Sequence, residues 1–209
     1  MSPVEVVDRL VASEMQADLI GSVIGREIIL LDETGSTNDA ILQIATPNLQ
    51  EGVVLFAEHQ TAGRGRRGNR WESAARKGLW FSILLRPRIE LGASGRLTAW
   101  AASATANTIR DEFSLTIGIK EPNDVQIDGR KVAGVLVEMR AREKAPHLAI
   151  IGIGININQS HEDFPEELRS TAISLAMALG SQVDRQDFAI ALLRNLDRTY
   201  RNTFADAGL

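Results

Sequence analysis

Four arginines, at positions 64, 66, 67 and 70, stand among three glycines in the stretch EHQTAGRGRRGNRW, residues 58–71, of a chain whose formal net charge is −4. From Arg64 to Lys77 six positive charges face a single acid, Glu72. Such a loop repels itself and stays mobile until an anion arrives. Arginine holds phosphate or carboxylate through paired hydrogen bonds, and glycines let backbone N–H groups approach the same anion. Taken alone, the loop reads equally well as a solvated surface segment. Gly63, Gly65 and Gly68 also fit the letters G-x-G-x-x-G. A dinucleotide-binding turn, however, needs a helix opening at the last glycine and an acid closing the next strand. Here NRWESAARKG is short and ends in Gly78, and no acid stands at the expected distance. A phosphate loop with Gly-Lys-Ser/Thr is absent too.

Three further stretches carry polar groups in telling places. IKEPNDV sets Lys120, Asn123 and Asp124 around a proline-fixed corner. GRKVAGVLVE starts a strand with Lys131, followed by Ala133 and Gly134. A lysine there is ordinarily a solvated hairpin residue, but the small neighbours leave room for something bulky against the strand. GIGININ places Asn156 after glycines 152 and 154, which signal close approach to the backbone. The ordinary role of Asn156 is a satisfied strand-end amide; the other is contact with a flat group.

The elements that must position these residues follow from patterning. Ser2-Pro3 with Val6, Val7, Leu10 and Val11 reads as a capped helix. Strands are expected over Arg26–Glu33, Gly52–His59, Gly78–Pro87, LTIGIK and His147–Asn158, with a hairpin turning at Asp128-Gly129. GSTNDAILQIA offers Ser36, Thr37 or Asn38 as helix caps. GRLTAWAASATANTIRDEF has helical spacing and small residues, and the chain from Asp163 onward reads as helical. Strands outnumber early helices and join by tight turns, so the fold class is α+β, with a mixed, largely antiparallel sheet flanked by helices.

Totals limit the alternatives. A chain of 209 residues suits one domain over 1–209. The acidic balance argues against wholesale nucleic-acid binding. No cysteine means no thiol nucleophile or thiolate metal site. His59, His147 and His161 show no ligand spacing. The N-terminal stretch is not a secretory signal, and no apolar run approaches the roughly 18 residues of a membrane span. A cytoplasmic protein that does not engage membranes is the expectation, and the sequon at Asn158 is discounted.

GSTN, HQTAGRGRRGNRW, KEPNDV with GRKVAGVLVE, and GIGIN occur together in this order. The set resembles the catalytic domain of biotin protein ligases, over roughly residues 28–158, with C-terminal helices from 163 to 209. The resemblance implies the biotin–lipoate ligase fold, similar to class II aminoacyl-tRNA synthetases. It implies an ATP-dependent ligase that makes biotinyl-5′-AMP from biotin and MgATP, then transfers biotin to a lysine of a biotin carboxyl carrier domain. Lipoate or octanoate enzymes of the same fold, or a non-catalytic biotin-adenylate binder, are the alternatives.

Carried over by position, the resemblance implies biotin contacts from Ser36, Thr37, Gln60, Gly63, Arg64, Lys131, Gly134, Leu136 and Gly154. It implies ATP or adenylate contacts from Arg66, Arg67, Trp71, Lys120, Asn123, Asp124 and Asn156. Lys131, Arg64 and Arg66 would act in catalysis, with magnesium entering alongside ATP near Asp124. The chain departs from the family at Glu121, where relatives carry Trp. By the same reading a front DNA-binding domain and the usual small C-terminal β domain are not expected, and a homodimer is one arrangement the family allows.

Overall fold

A computed structural model describes residues 8–46, 48–141 and 146–205. Seven strands form one sheet: β1 (Glu27–Thr34), β2 (Val53–Gln60), β3 (Gly78–Leu85), β4 (Ile117–Lys120), β5 (Asp124–Ile127), β6 (Arg130–Arg140) and β7 (Leu148–Asn156). Their order is β1-β2-β3-β7-β6-β5-β4. β1 and β2 run parallel across the helix α2 (Thr37–Ile44); every other pairing is antiparallel. The mixed, largely antiparallel α+β reading therefore matches the structure. The β5–β6 hairpin turns where expected, with Asp128 at φ 49° and Gly129 at φ 76°. Positive φ at both central residues is the demand of a type I′ turn, which asparagine, aspartate and glycine meet most readily.

Strand alternation sends the two sets of side chains to different jobs. Ile151, Ile153 and Ile155 of β7 join Leu79, Phe81 and Ile83 of β3 in the main core, under α3 (Ser94–Phe113) and α5 (Arg185–Tyr200). Ala101, Ala102 and Ala106 of α3 are buried, so this helix lies close on the sheet. On the opposite face, Ile41 of α2 packs with Val53, Leu55, Leu84 and Ile150. Beyond that small cluster the same face changes character: Trp80, Ser82, Gly134, Leu136, Glu138, Gly152 and Gly154 occupy the alternate positions of β3, β6 and β7.

Two expectations need correction. The first helix, α1, spans Ala12–Asp18, and Asp8–Val11 precede it without helical structure; Ser2–Val7 lie outside the described residues. The segment after Asp163 is not continuously helical. It passes through a short 3-10 turn at Glu166–Leu168, and Lys131 and Ala172 then pair as a parallel bridge. Only afterwards come α4 (Leu175–Leu179) and α5. Thr171 O accepts from Lys131 N at 2.7 Å and Ile173 N donates to Lys131 O at 3.0 Å, so sheet pairing overrides local helical spacing here. Among the described residues, no helix is long and apolar enough to cross a membrane.

Candidate active site

The floor of the site is a pair of glycines. Gly134 of β6 and Gly154 of β7 are partners across the sheet, and Trp80 of β3 pairs with Gly154 from the other side. A Cβ on Gly154 would lie 2.5 Å from the Trp71 indole, and one on Gly134 2.9 Å from it. Both strands therefore need glycine so that a flat ring can lie on the backbone, and Trp71 itself occupies that bed. Its indole also meets Trp80 edge-on, with ring centres 6.0 Å apart.

One end of the cavity is polar and neutral. Ser36, Thr37, Asn38 and Gln60 are all buried there. Ser36 stands at the N-cap position of α2 in an extended conformation, with no capping hydrogen bond from its side chain. The Thr37 N–H and hydroxyl both donate to Gln60 Oε1, at 2.8 and 3.1 Å. Ser82 Oγ donates to Asn38 Oδ1 at 2.6 Å and lies 2.8 Å from Thr37 Oγ1. Asn38 Nδ2 in turn donates to Glu138 at 2.7 Å. Gln60 Oε1 is thus committed to the helix, while its Nε2 keeps donor capacity toward the cavity.

The other end is cationic. Lys131 Nζ lies 2.6 Å from Asp124 Oδ1 and 5.1 Å from the centre of the Trp71 ring. The carboxylate and the ring face together hold the ammonium over the bed. Arg66 donates to Asn123 Oδ1 at 3.1 Å. Asn123 is itself fixed on β6, since its Nδ2 donates to Val135 O and its carbonyl accepts from Val135 N. Arg64 turns the opposite way, toward Asp39 and Glu138. The cavity measures about 460 Å³ and opens to solvent, and Trp71 lies on its glycine bed. A ring-sized ligand must therefore displace lining side chains, Trp71 foremost.

A second cavity of about 480 Å³ continues past Trp71 and Lys131, walled by Arg70, Glu72, Asn156, Phe164, Leu168, Thr171 and Ala172. Trp71 and Lys131 line both cavities and separate them. Among the described residues no cluster of three or more histidine or acidic side chains could hold a metal ion.

Residues 30–156 match the model of the biotin/lipoate A/B protein ligase family. The chain belongs to that family. The bifunctional ligase/repressor BirA of Bacillus subtilis is 39% identical over 194 residues, covering 93% of this chain and 60% of the relative. The biotin–[acetyl-CoA-carboxylase] ligase of Mycobacterium tuberculosis is 35% identical over 189 residues, covering 88% of this chain and 68% of that one. The biotin protein ligase of Aquifex aeolicus, solved with biotin and ATP, superposes with a TM-score of 0.74 at 30% identity, over 87% of this chain and 73% of the other. This chain thus spans about three-fifths of the length of the Bacillus relative.

On this biotin/lipoate ligase fold, most residues singled out from sequence converge. Ser36, Thr37, Gln60, Arg64, Arg66, Trp71, Asn123, Lys131, Gly134, Leu136 and Gly154 line the first cavity. Gly63 closes the arginine loop through its carbonyl, which accepts from Trp71 N, and Asp124 reaches the site through Lys131. Asn156 lines the second cavity, but its Nδ2 already donates to Ile173 O at 3.1 Å, so its ordinary structural role is filled. Lys120 and Arg67 are exposed and line neither cavity, and Glu121 is exposed as well. Sequence reasoning passed over Ser82, Glu138 and Asp39. Ser82 was visible as the lone polar residue of GLWFSILL, and Glu138 as the acid that interrupts the apolar run after Lys131 in KVAGVLVEM. Phe164, Leu168, Thr171 and Ala172 gave no such signal.

Proposed function

We propose that this chain is an ATP-dependent biotin protein ligase. One observation carries the reading: a single cavity joins a neutral polar end with donor capacity, a glycine bed and a cationic end that holds Lys131 and Arg66. Biotin has that layout, with a ureido ring at one end and a carboxylate at the other. Gln60 Nε2 and the Ser36 hydroxyl suit the ureido carbonyl. A dithiolane or a plain acyl chain offers these buried groups no partner, and leaving them unpaired is costly. The Aquifex aeolicus relative, solved with biotin and ATP, supports the same substrates.

In the first step a biotin carboxylate oxygen attacks the α-phosphorus of MgATP. The bond to the β-phosphate oxygen breaks, and pyrophosphate leaves. Lys131 and Arg66 stabilise charge where carboxylate and phosphate crowd, in a site from which Trp71 excludes water. Lys131 lies between the two cavities, so biotin fills the first and the nucleotide base the second, on either side of it. Magnesium arrives with the nucleotide, held mainly by phosphates and water. In the second step the neutral amine of a carrier-domain lysine attacks the acyl carbon. The acyl–phosphate C–O bond breaks, AMP leaves, and the amine proton goes to solvent. Exposure of Glu121 keeps its charge out of both cavities and is compatible with ATP binding.

The expected result is exchange of labelled pyrophosphate into ATP that requires biotin, followed by labelling of a biotin carboxyl carrier domain. Exchange driven by lipoate or octanoate instead would overturn the biotin assignment. Lys131→Ala should lower exchange about 10²–10³-fold, as removal of an oxyanion-stabilising group does. Its thermal midpoint should stay near wild type, because Lys131 is partly exposed.

A further inference from the structure

We propose that Asp39 and Glu138 are positioning residues that latch the arginine loop across the cavity by holding Arg64. The catalytic consequence rests on the ligase reading; the latch itself concerns the loop alone. Arg64 Nη2 donates to Asp39 Oδ1 at 2.8 Å and to Glu138 Oε2 at 3.0 Å. The two acids come from separate rigid elements, α2 and β6. Glu138 is fixed in turn by Asn38, and Asn38 by Ser82, so the acceptor does not follow the loop if the loop swings.

The loop is tied into one piece by its own hydrogen bonds. Arg64 and Arg70 form an isolated antiparallel bridge, Gly65 N donates to Asn69 O at 2.7 Å, and Trp71 N donates to Gly63 O at 2.9 Å. Holding Arg64 therefore holds Arg66 and Trp71 over the bed. The latch also divides labour among the cations. Arg64 Nη2 meets two protein carboxylates, whereas Lys131 meets one, Asp124, and Arg66 meets the neutral Asn123, so Arg66 and Lys131 are the less neutralised cations for the substrate carboxylate and the phosphates. Arg64 thus serves as a loop fastener through its side chain.

Limited trypsin digestion of the full chain at low salt, without substrates, tests the latch. Exposed ion pairs shift an equilibrium by up to about five-fold. Asp39→Asn should therefore speed cleavage after Arg66, Arg67 and Arg70 by roughly that factor, and Asp39→Glu should restore the wild-type rate. In an Arg64→Ala background, adding Asp39→Asn should change nothing, because the acid acts through that arginine. With biotin and MgATP, Asp39→Asn should raise the escape of biotinyl-AMP, with kcat for exchange nearly unchanged. Equal cleavage rates in wild type and Asp39→Asn would overturn the latch. So would faster cleavage that persists in the Arg64→Ala background. If wild type shows no biotin-dependent exchange, the ligase reading fails while the trypsin result still decides the latch.

Discussion

β7 presents two unlike surfaces from one stretch of chain. Ile151, Ile153 and Ile155 enter the core under α3 and α5, while Gly152, Gly154 and Asn156, one position out of phase, face the site. The same division separates two arginines. Arg185 is fully buried behind the sheet, paired with Glu58 at 2.6 Å and Asp8 at 2.9 Å. Burial alone would lower its pKa, but Glu58 and Asp8 outweigh that and hold it above the ordinary value. Arg64 also meets two acids, yet it is 42% exposed and sits on a loop. Two ion clusters of the same composition thus serve opposite ends: one locks the body of the protein and the other fastens a part that must open.

Four variants sharpen this contrast. Arg185→Met leaves Glu58 buried without its partner, and should cost about 3–5 kcal/mol in urea unfolding. Adding Glu58→Met should recover most of that loss, since the uncompensated charge is then gone. Arg64→Ala should cost under about 1 kcal/mol in the same assay. Gly154→Ala comes next: its methyl must push the Trp71 indole off the bed. Biotin affinity, read by calorimetry, should fall at least about ten-fold, or about 1.4 kcal/mol, while the thermal midpoint moves little. A large drop in midpoint with affinity intact would assign Gly154 to the core side of the comparison.

The smallest effect concerns Tyr200. Burial first, then the neighbouring Glu51, raise its phenol well above the usual range. A folded pKa above the unfolded one, about 10, means a contribution fully present below pH about 10 and lost as pH rises above it. Tyr200→Phe should remove that alkaline decline and leave the site face untouched. Tyr200 is the chain's one tyrosine, so its ultraviolet absorbance reports the titration directly.

The sheet was legible because strand alternation and turn chemistry are local. The Asp128-Gly129 turn and the Ile/Gly alternation of β7 follow from neighbours a few residues apart. The pairings within the site were not. Arg64 meets acids 25 and 74 residues away, and no period in the sequence encodes those distances. The loop could be recognised as anion-seeking, but its first arginine is already satisfied by the protein's own carboxylates. The chain after Asp163 was misread because short apolar spacing fits a helix as well as an extended bridge, and only the partner, Lys131, decides between them.

That bridge has a consequence for the order of assembly. Thr171 and Ile173, which grip the backbone of Lys131 on both sides, are synthesised at least forty residues after it. A nascent chain can complete the strands of its sheet before those residues emerge, yet the wall of the second cavity and the final seating of Lys131 wait for them. The seating of Lys131 is therefore a late stitch, finished only after the sheet that supports it.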